Sequence, residues 1–189
     1  MTDLTSDRII RWRRLDHPAL ETARLAPRGQ GWSLGGVVEG RLDDAREYRL
    51  EYVVQCDHAW CTLRADVSGT IGRQPVRTAI AHDVPTGRWT RDGVEQPQVA
   101  GAVDVDLGFT PATNTLPIRR LTLQVGGAAA VRAAWLRFPE MEFVSLEQVY
   151  TRQAEHQYLY ESSGGQFRAV LELDEVGLVT RYGDYWTSD

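Results

Sequence analysis

The chain has no lysine at all, so every cation apart from its four histidines is an arginine. Each positive side chain is therefore a planar fork able to grip a carboxylate or phosphate in two places. Positive charge in excess is also missing: the formal net charge is -5 over 189 residues, which argues against nucleic acid as a main partner. No window approaches the roughly 18 apolar residues of a membrane-spanning helix. The start, MTDLTSDRIIRWRRLD, lacks an apolar run behind its charges, so no signal peptide is expected. A cytoplasmic setting follows as the expectation, in which the two cysteines, Cys56 and Cys61, are reduced thiols. Repeats, linkers and low-complexity tracts are lacking too, and residues 1–189 read as one domain.

What is present is alternation. Hydrophobic content of 42% and charged content of 25% exclude disorder. Short segments with a two-residue period recur between turn signals: Arg8–Leu15, Trp32–Glu39, Glu47–Cys56, Trp60–Val67, Val76–Ala81 and Val131–Phe138. Asp92-Gly93 closes a tight hairpin. Residues from Gln157 to Tyr182 form a three-strand meander broken at Ser162–Gly165 and Asp174–Gly177. The segment Pro18–Leu25 is read as a turn of helix, and Phe143–Tyr150 fits strand or helix equally. Val131–Phe138 is apolar on both faces, which requires a cover on both sides, or a core on one and a cavity on the other. The pattern is all-β, with little helix.

One stretch, Val103 to Leu123, organises the candidate chemistry. Val103, Val105, Leu107 and Phe109 alternate with Asp104 and Asp106, predicting a strand with two carboxylates on one face. Pro111 and Pro117 bracket Thr113, Asn114 and Thr115, and a second strand is expected from Arg120 to Val125. Adjacent strand residues point to opposite faces, so at most one of Arg119 and Arg120 can serve the acidic pair, leaving the other for a ligand. Paired carboxylates also suit acid/base chemistry. An Asp tied to a guanidinium argues for structure, whereas an unpaired one lining a cavity argues for catalysis. Asn114, the single asparagine, fits either a turn hydrogen bond or the reading of a hydroxyl-rich headgroup.

Other motifs are weaker. Gly31-Trp32-Ser33-Leu34-Gly35 matches the nucleophile-elbow pattern, but that elbow needs a strand before the serine and a helix after it. Cys56-Asp57-His58-Ala59-Trp60-Cys61 has metal-ligand types without a second cluster, and His17, His82 and His156 are isolated, so no metal is expected. Trp60, Trp89, Trp135 and Tyr150 are core aromatics or ring-stacking surfaces, and Arg137 adds a further cation.

These segments together resemble a bacterial family labelled putative glycolipid-binding, once a family of unknown function. The resemblance runs through Trp12-Arg13-Arg14-Leu15, Tyr52–Trp60, Gly87-Arg88-Trp89, Asp104-Val105-Asp106-Leu107, the core Thr113-Asn114-Thr115-Leu116-Pro117-Ile118-Arg119-Arg120-Leu121, Trp135–Pro139, Tyr150-Thr151 and Tyr158–Glu161. Phe109 and Cys61 depart from the family pattern outside that core. The resemblance implies a spiral β-roll, similar in outline to lipoprotein-carrier folds that shelter acyl chains. The expectation is thus a strongly curved antiparallel sheet enclosing an apolar cavity. It would bind a glycolipid or similar amphiphile, with Arg119 or Arg120, Asn114 and Thr115 at the rim and no cofactor. An enzyme using Asp104 or Asp106 with an arginine, and a protein-interaction module, are the alternatives.

Overall fold

A computed structural model describes residues 6–189, so the reading of the first five residues falls outside it. The strands are β1 (Arg8–Arg14), β2 (Ala19–Arg28), β3 (Gly31–Arg41), β4 (Glu47–Asp57), β5 (Thr62–Ile71), β6 (Gln74–Asp83), β7 (Arg88–Arg91), β8 (Val94–Glu95) and β9 (Asp104–Leu107). After a short helix α1 (Thr115–Leu121) come β10 (Ala128–Arg137), β11 (Glu142–Ala154), β12 (Gln157–Ser162), β13 (Phe167–Leu173), β14 (Val179–Tyr182) and β15 (Trp186–Ser188). All belong to one sheet in the order β8-β7-β6-β5-β4-β3-β2-β1-β15-β14-β13-β12-β11-β10-β9. Every pairing is antiparallel except β9 with β10, which is parallel. Among the described residues, no helix is long and apolar enough to cross a membrane.

Register explains the curl. Reading across the ladders, Val67, Tyr52, Gly36 and Ala23 stand opposite one another, as do Trp186 with Arg14 and Tyr182 with Trp186. One face of the sheet thus carries Leu34, Leu50, Val54, Ala65 and Ile80, all buried, while their strand neighbours lie outside. The far end of the sheet then rolls inside the near end. Ala134, Leu136 and Phe143, on the back of β10 and β11, join the same core as Tyr52, Val67 and Trp89. Rings seal the overlap: Phe143 meets Trp89 edge-on at 6.2 Å, Phe138 meets Tyr48 at 4.8 Å, and Phe109 meets Tyr52 at 5.8 Å. The Thr62 amide donates to the Val103 carbonyl at 3.3 Å, tying β9 to the start of β5. The sheet is a spiral roll.

Two expectations change, and one open reading is decided. The segment Pro18–Leu25 is not helical: from Ala19 on it is strand β2, because Ala19, Glu21, Ala23 and Leu25 alternate inward; the acidic Glu21 hides this two-residue period. Phe143–Tyr150 lies within strand β11. The second strand expected from Arg120 to Val125 does not form: a 3-10 turn (Ala112–Asn114) runs into α1, which ends at Leu121, and the next strand is β10. Pro117 sits in the first turn of that helix, where an amide has no intrahelical partner to lose. Leu116 and Ile118 point into the roll and are fully buried.

Candidate functional site

Helix α1 fills one end of the inner concavity. Ile118 packs with Tyr150, Tyr158, Tyr160, Leu171, Leu173 and Val179. Beside this cluster, sharing Tyr160, Phe167 and Tyr182 with it, is a cavity of about 340 Å³. Successive strands each supply wall residues: Arg14 from β1, Trp186 from β15, Tyr182 from β14, Phe167 from β13, Tyr160 and Ser162 from β12, Leu146 from β11, Trp135 from β10 and Asp106 from β9. Gly108, Thr110 and Asn114, in the segment between β9 and α1, close it from within. The two-sided strand β10 therefore has a core behind it, at Ala134 and Leu136, and this cavity before it, at Trp135.

The aromatic wall is rigid. Tyr160, Phe167, Tyr182 and Tyr185 meet with ring centroids 5.4–6.2 Å apart, mostly edge to face. Arg14 lies over the Trp186 ring at 5.3 Å and donates to Asp16 at 2.7 Å, so the rim cation is held on both sides. Gly108 lets this segment lie close against β10: a Cβ there would come within 2.8 Å of Trp135 Nε1 and 3.2 Å of the Leu136 carbonyl oxygen.

The two aspartates have different surroundings. Arg120 donates to both Asp104 oxygens, through Nε at 3.2 Å and through Nη2. Burial pushes the Asp104 carboxyl up, and the guanidinium works against that shift. Asp106 has no ion pair among the described residues; Gln148 Nε2 donates to it at 2.6 Å and also to Tyr160 Oη at 3.0 Å. Burial, with the Asp104 charge adding to it, raises Asp106 to about 6. A second carboxyl is buried nearby. Glu21 Oε1 accepts from Tyr52 at 2.5 Å and from Thr110, a cavity residue, at 2.7 Å, while Oε2 has no partner. Burial holds Glu21 at about 8, so at neutral pH it is mostly a neutral acid.

The structure brings Asp106, Asn114 and Trp135 to the cavity and takes the other expected site residues elsewhere. Asn114 is anchored by both ends, accepting from Tyr150 at 2.8 Å and donating to the Pro111 carbonyl at 3.1 Å. Thr113 accepts from the Leu107 amide at 3.3 Å, and Thr115 is fully buried with an unpartnered hydroxyl. Arg119 lies over the Trp60 ring at 4.9 Å, and Trp60 stacks on Trp32 at 4.8 Å. Trp89 stacks on His82 at 4.2 Å and donates to the Ala102 carbonyl. Arg137 pairs with Glu142 at 2.7 Å on the surface. Both arginines of the core motif are thus engaged away from the cavity, because a helix, not a strand, carries them. The cation at the cavity rim is Arg14. Sequence reasoning passed over Arg14, Glu21, Thr110, Tyr160, Phe167, Tyr182 and Trp186. The signal was the shared inward parity of the last strands and β1, which becomes readable only once β15 is known to pair with β1.

Residues 9–188 match the family described as "Putative glycolipid-binding". The chain belongs to that family. A solved structure of a DUF1089 family protein from Pseudomonas aeruginosa is similar to this glycolipid-binding family member at 31% identity, with a TM-score of 0.77 over 87% of this chain and 88% of that one. A β-barrel-like protein of DUF1849 from Brucella abortus shares the fold alone, with a TM-score of 0.51 at 9% identity over 97% of this chain and 94% of that one. No curated protein matches the chain. Family and fold together support a binding role.

Proposed function

We propose that residues 1–189 act as one binding domain, holding a glycolipid or similar amphiphile non-covalently in the cavity on the inner face of β9–β15 and β1. The observation that carries this reading is the cavity itself: a rigid aromatic wall, a carboxylate at Asp106, an anchored amide at Asn114 and a cation at Arg14. Small-ligand sites generally combine an apolar wall with a few placed polar groups in this way. Native mass spectrometry of gently purified protein, before and after exposure to an extract of bacterial lipids, tests it. A retained or acquired mass in the lipid range is expected; a ligand-free mass under every condition removes the reading.

A second reading, an enzyme acting on a sugar or lipid, is favoured by one observation. Asp106 faces the cavity without a guanidinium partner and sits at about 6, in the range of a group that can both take and give a proton. Glycolipid incubated with the protein would then lose its headgroup or an acyl chain, and Asp106→Asn would stop that loss. An unchanged glycolipid after long incubation rejects catalysis and leaves binding standing.

A further inference from the structure

The acidic pair on β9 is one positive charge short. Arg120 donates to both oxygens of Asp104 and so answers one carboxylate. Asp106 is the other, and what acts on it is burial, the Gln148 amide, the Asp104 charge and the Thr113 hydroxyl, none of them a cation. Raised to about 6, it is still mostly an anion at neutral pH, and it lies on the cavity wall. The cation on that wall, Arg14, is already matched. It donates to both Asp16 oxygens, through Nε at 2.7 Å and Nη2 at 3.2 Å.

The rest of the wall suits a positive group. Six rings line the space, from Trp135, Tyr160, Phe167, Tyr182, Tyr185 and Trp186. Aromatic faces carry the negative part of the ring quadrupole and attract a cation within about 6 Å of the centroid. One cation already uses this surface, since Arg14 lies over the Trp186 ring at 5.3 Å.

The polar atoms narrow the choice, because they are engaged within the protein. Gln148 Nε2 donates to Asp106 and Tyr160, Thr110 donates to Glu21, and Asn114 is held by Tyr150 and the Pro111 carbonyl. A primary ammonium brings three N–H donors, each needing an acceptor. A quaternary one brings none, so a carboxylate charge and ring faces suffice for it. A neutral alkyl group of the same shape would leave the Asp106 anion buried without a counter-charge.

Resting on the reading of this cavity as a ligand site, we propose that it takes a quaternary ammonium group, with the positive charge against Asp106 and the methyl groups against Trp135, Tyr160 and Tyr182. This narrows the amphiphile of the binding reading to one whose polar end is cationic.

Tryptophan emission of the intact protein at neutral pH reads binding, since Trp135 and Trp186 both line the cavity. The probes are choline, its uncharged carbon isostere 3,3-dimethyl-1-butanol, ethanolamine, and n-octyl β-glucoside below its micellar concentration. Choline should bind at least about tenfold tighter than the isostere or ethanolamine. In Asp106→Asn, choline should fall to within about threefold of the isostere, whose own affinity should hold. An isostere that binds as tightly as choline overturns the need for charge. Ethanolamine binding as tightly as choline overturns the quaternary class. Glucoside binding with choline silent overturns the inference and leaves the amphiphile reading intact, whereas silence from every probe overturns both. Should Asp106→Asn fail to fold, the wild-type series decides alone.

Discussion

Glu21 is the residue at which the chain departs furthest from what alternation alone would place in a β core. It occupies an inward position on β2, opposite Trp12 and Val38, where an aliphatic side chain would be expected. Gly36 lets the Tyr52 hydroxyl reach it, since a Cβ at Gly36 would stand 3.0 Å from that oxygen. The carboxyl's proton affinity rises from 4.5 to about 8 on folding because burial penalises the anion more than its two hydrogen bonds favour it. Between those values the folded state holds a proton that the unfolded chain has released. Stability is therefore complete below about pH 4.5 and falls as pH rises toward 8, by at most about 1.4 kcal/mol per unit from this group. Asp106, raised to about 6, adds a fall of the same sign at lower pH. Glu21→Gln, neutral at every pH, should flatten the upper part of this slope and exceed the wild type in stability at pH 8. Urea midpoints from pH 5 to 8 measure it; parallel curves for the two proteins would show that Glu21 is not protonated on folding.

At the scale of elements, the instructive piece is the segment from Asp104 to Val125. Its first part was legible: β9 is a strand, and its two aspartates share the face opposite Val105 and Leu107. Its second part was not. Leu121, Leu123 and Val125 alternate as a strand would, yet α1 runs to Leu121 and Val125 is largely exposed. The deciding force is tertiary: Leu116 and Ile118 are needed to fill the inner turn of the spiral, and a helix delivers both into it. The pairing of Asp104 with Arg120 survives that change because it depends on proximity in the roll. The same long-range closure hid the cavity wall, whose residues come from strands far apart in sequence. Ile118→Ala should cost about 2–5 kcal/mol by leaving a void among Tyr150, Tyr158 and Leu171. A thermal melt against the wild type measures the loss, and an unchanged midpoint would show that Ile118 contributes little to this packing.

For the whole molecule, the weight falls on the shortest central strand. The three residues of β15 lie between β1 and β14, pairing Arg13 with Thr187 on one side and Thr187 with Arg181 on the other. They join the half of the sheet built from β1–β8 to the half built from β9–β14. Trp186 and Arg14, which frame the cavity rim, face each other across this seam. By contrast β8, with its two exposed residues, is a free edge. Proline removes a ladder donor in either place, but edges tolerate it and central strands do not. Thr187→Pro should therefore cost about 3 kcal/mol or more and abolish ligand-induced changes in tryptophan emission. Glu95→Pro should cost less than about 1 kcal/mol and leave them unchanged. Denaturant unfolding of the two variants, followed by hydrogen exchange, gives the comparison. In Thr187→Pro, amides of β1 and β14 should lose protection first, as the seam opens and the two halves uncouple. Equal losses of stability in both variants would mean that the roll is held by its overlapping cores, with the β15 ladder contributing little.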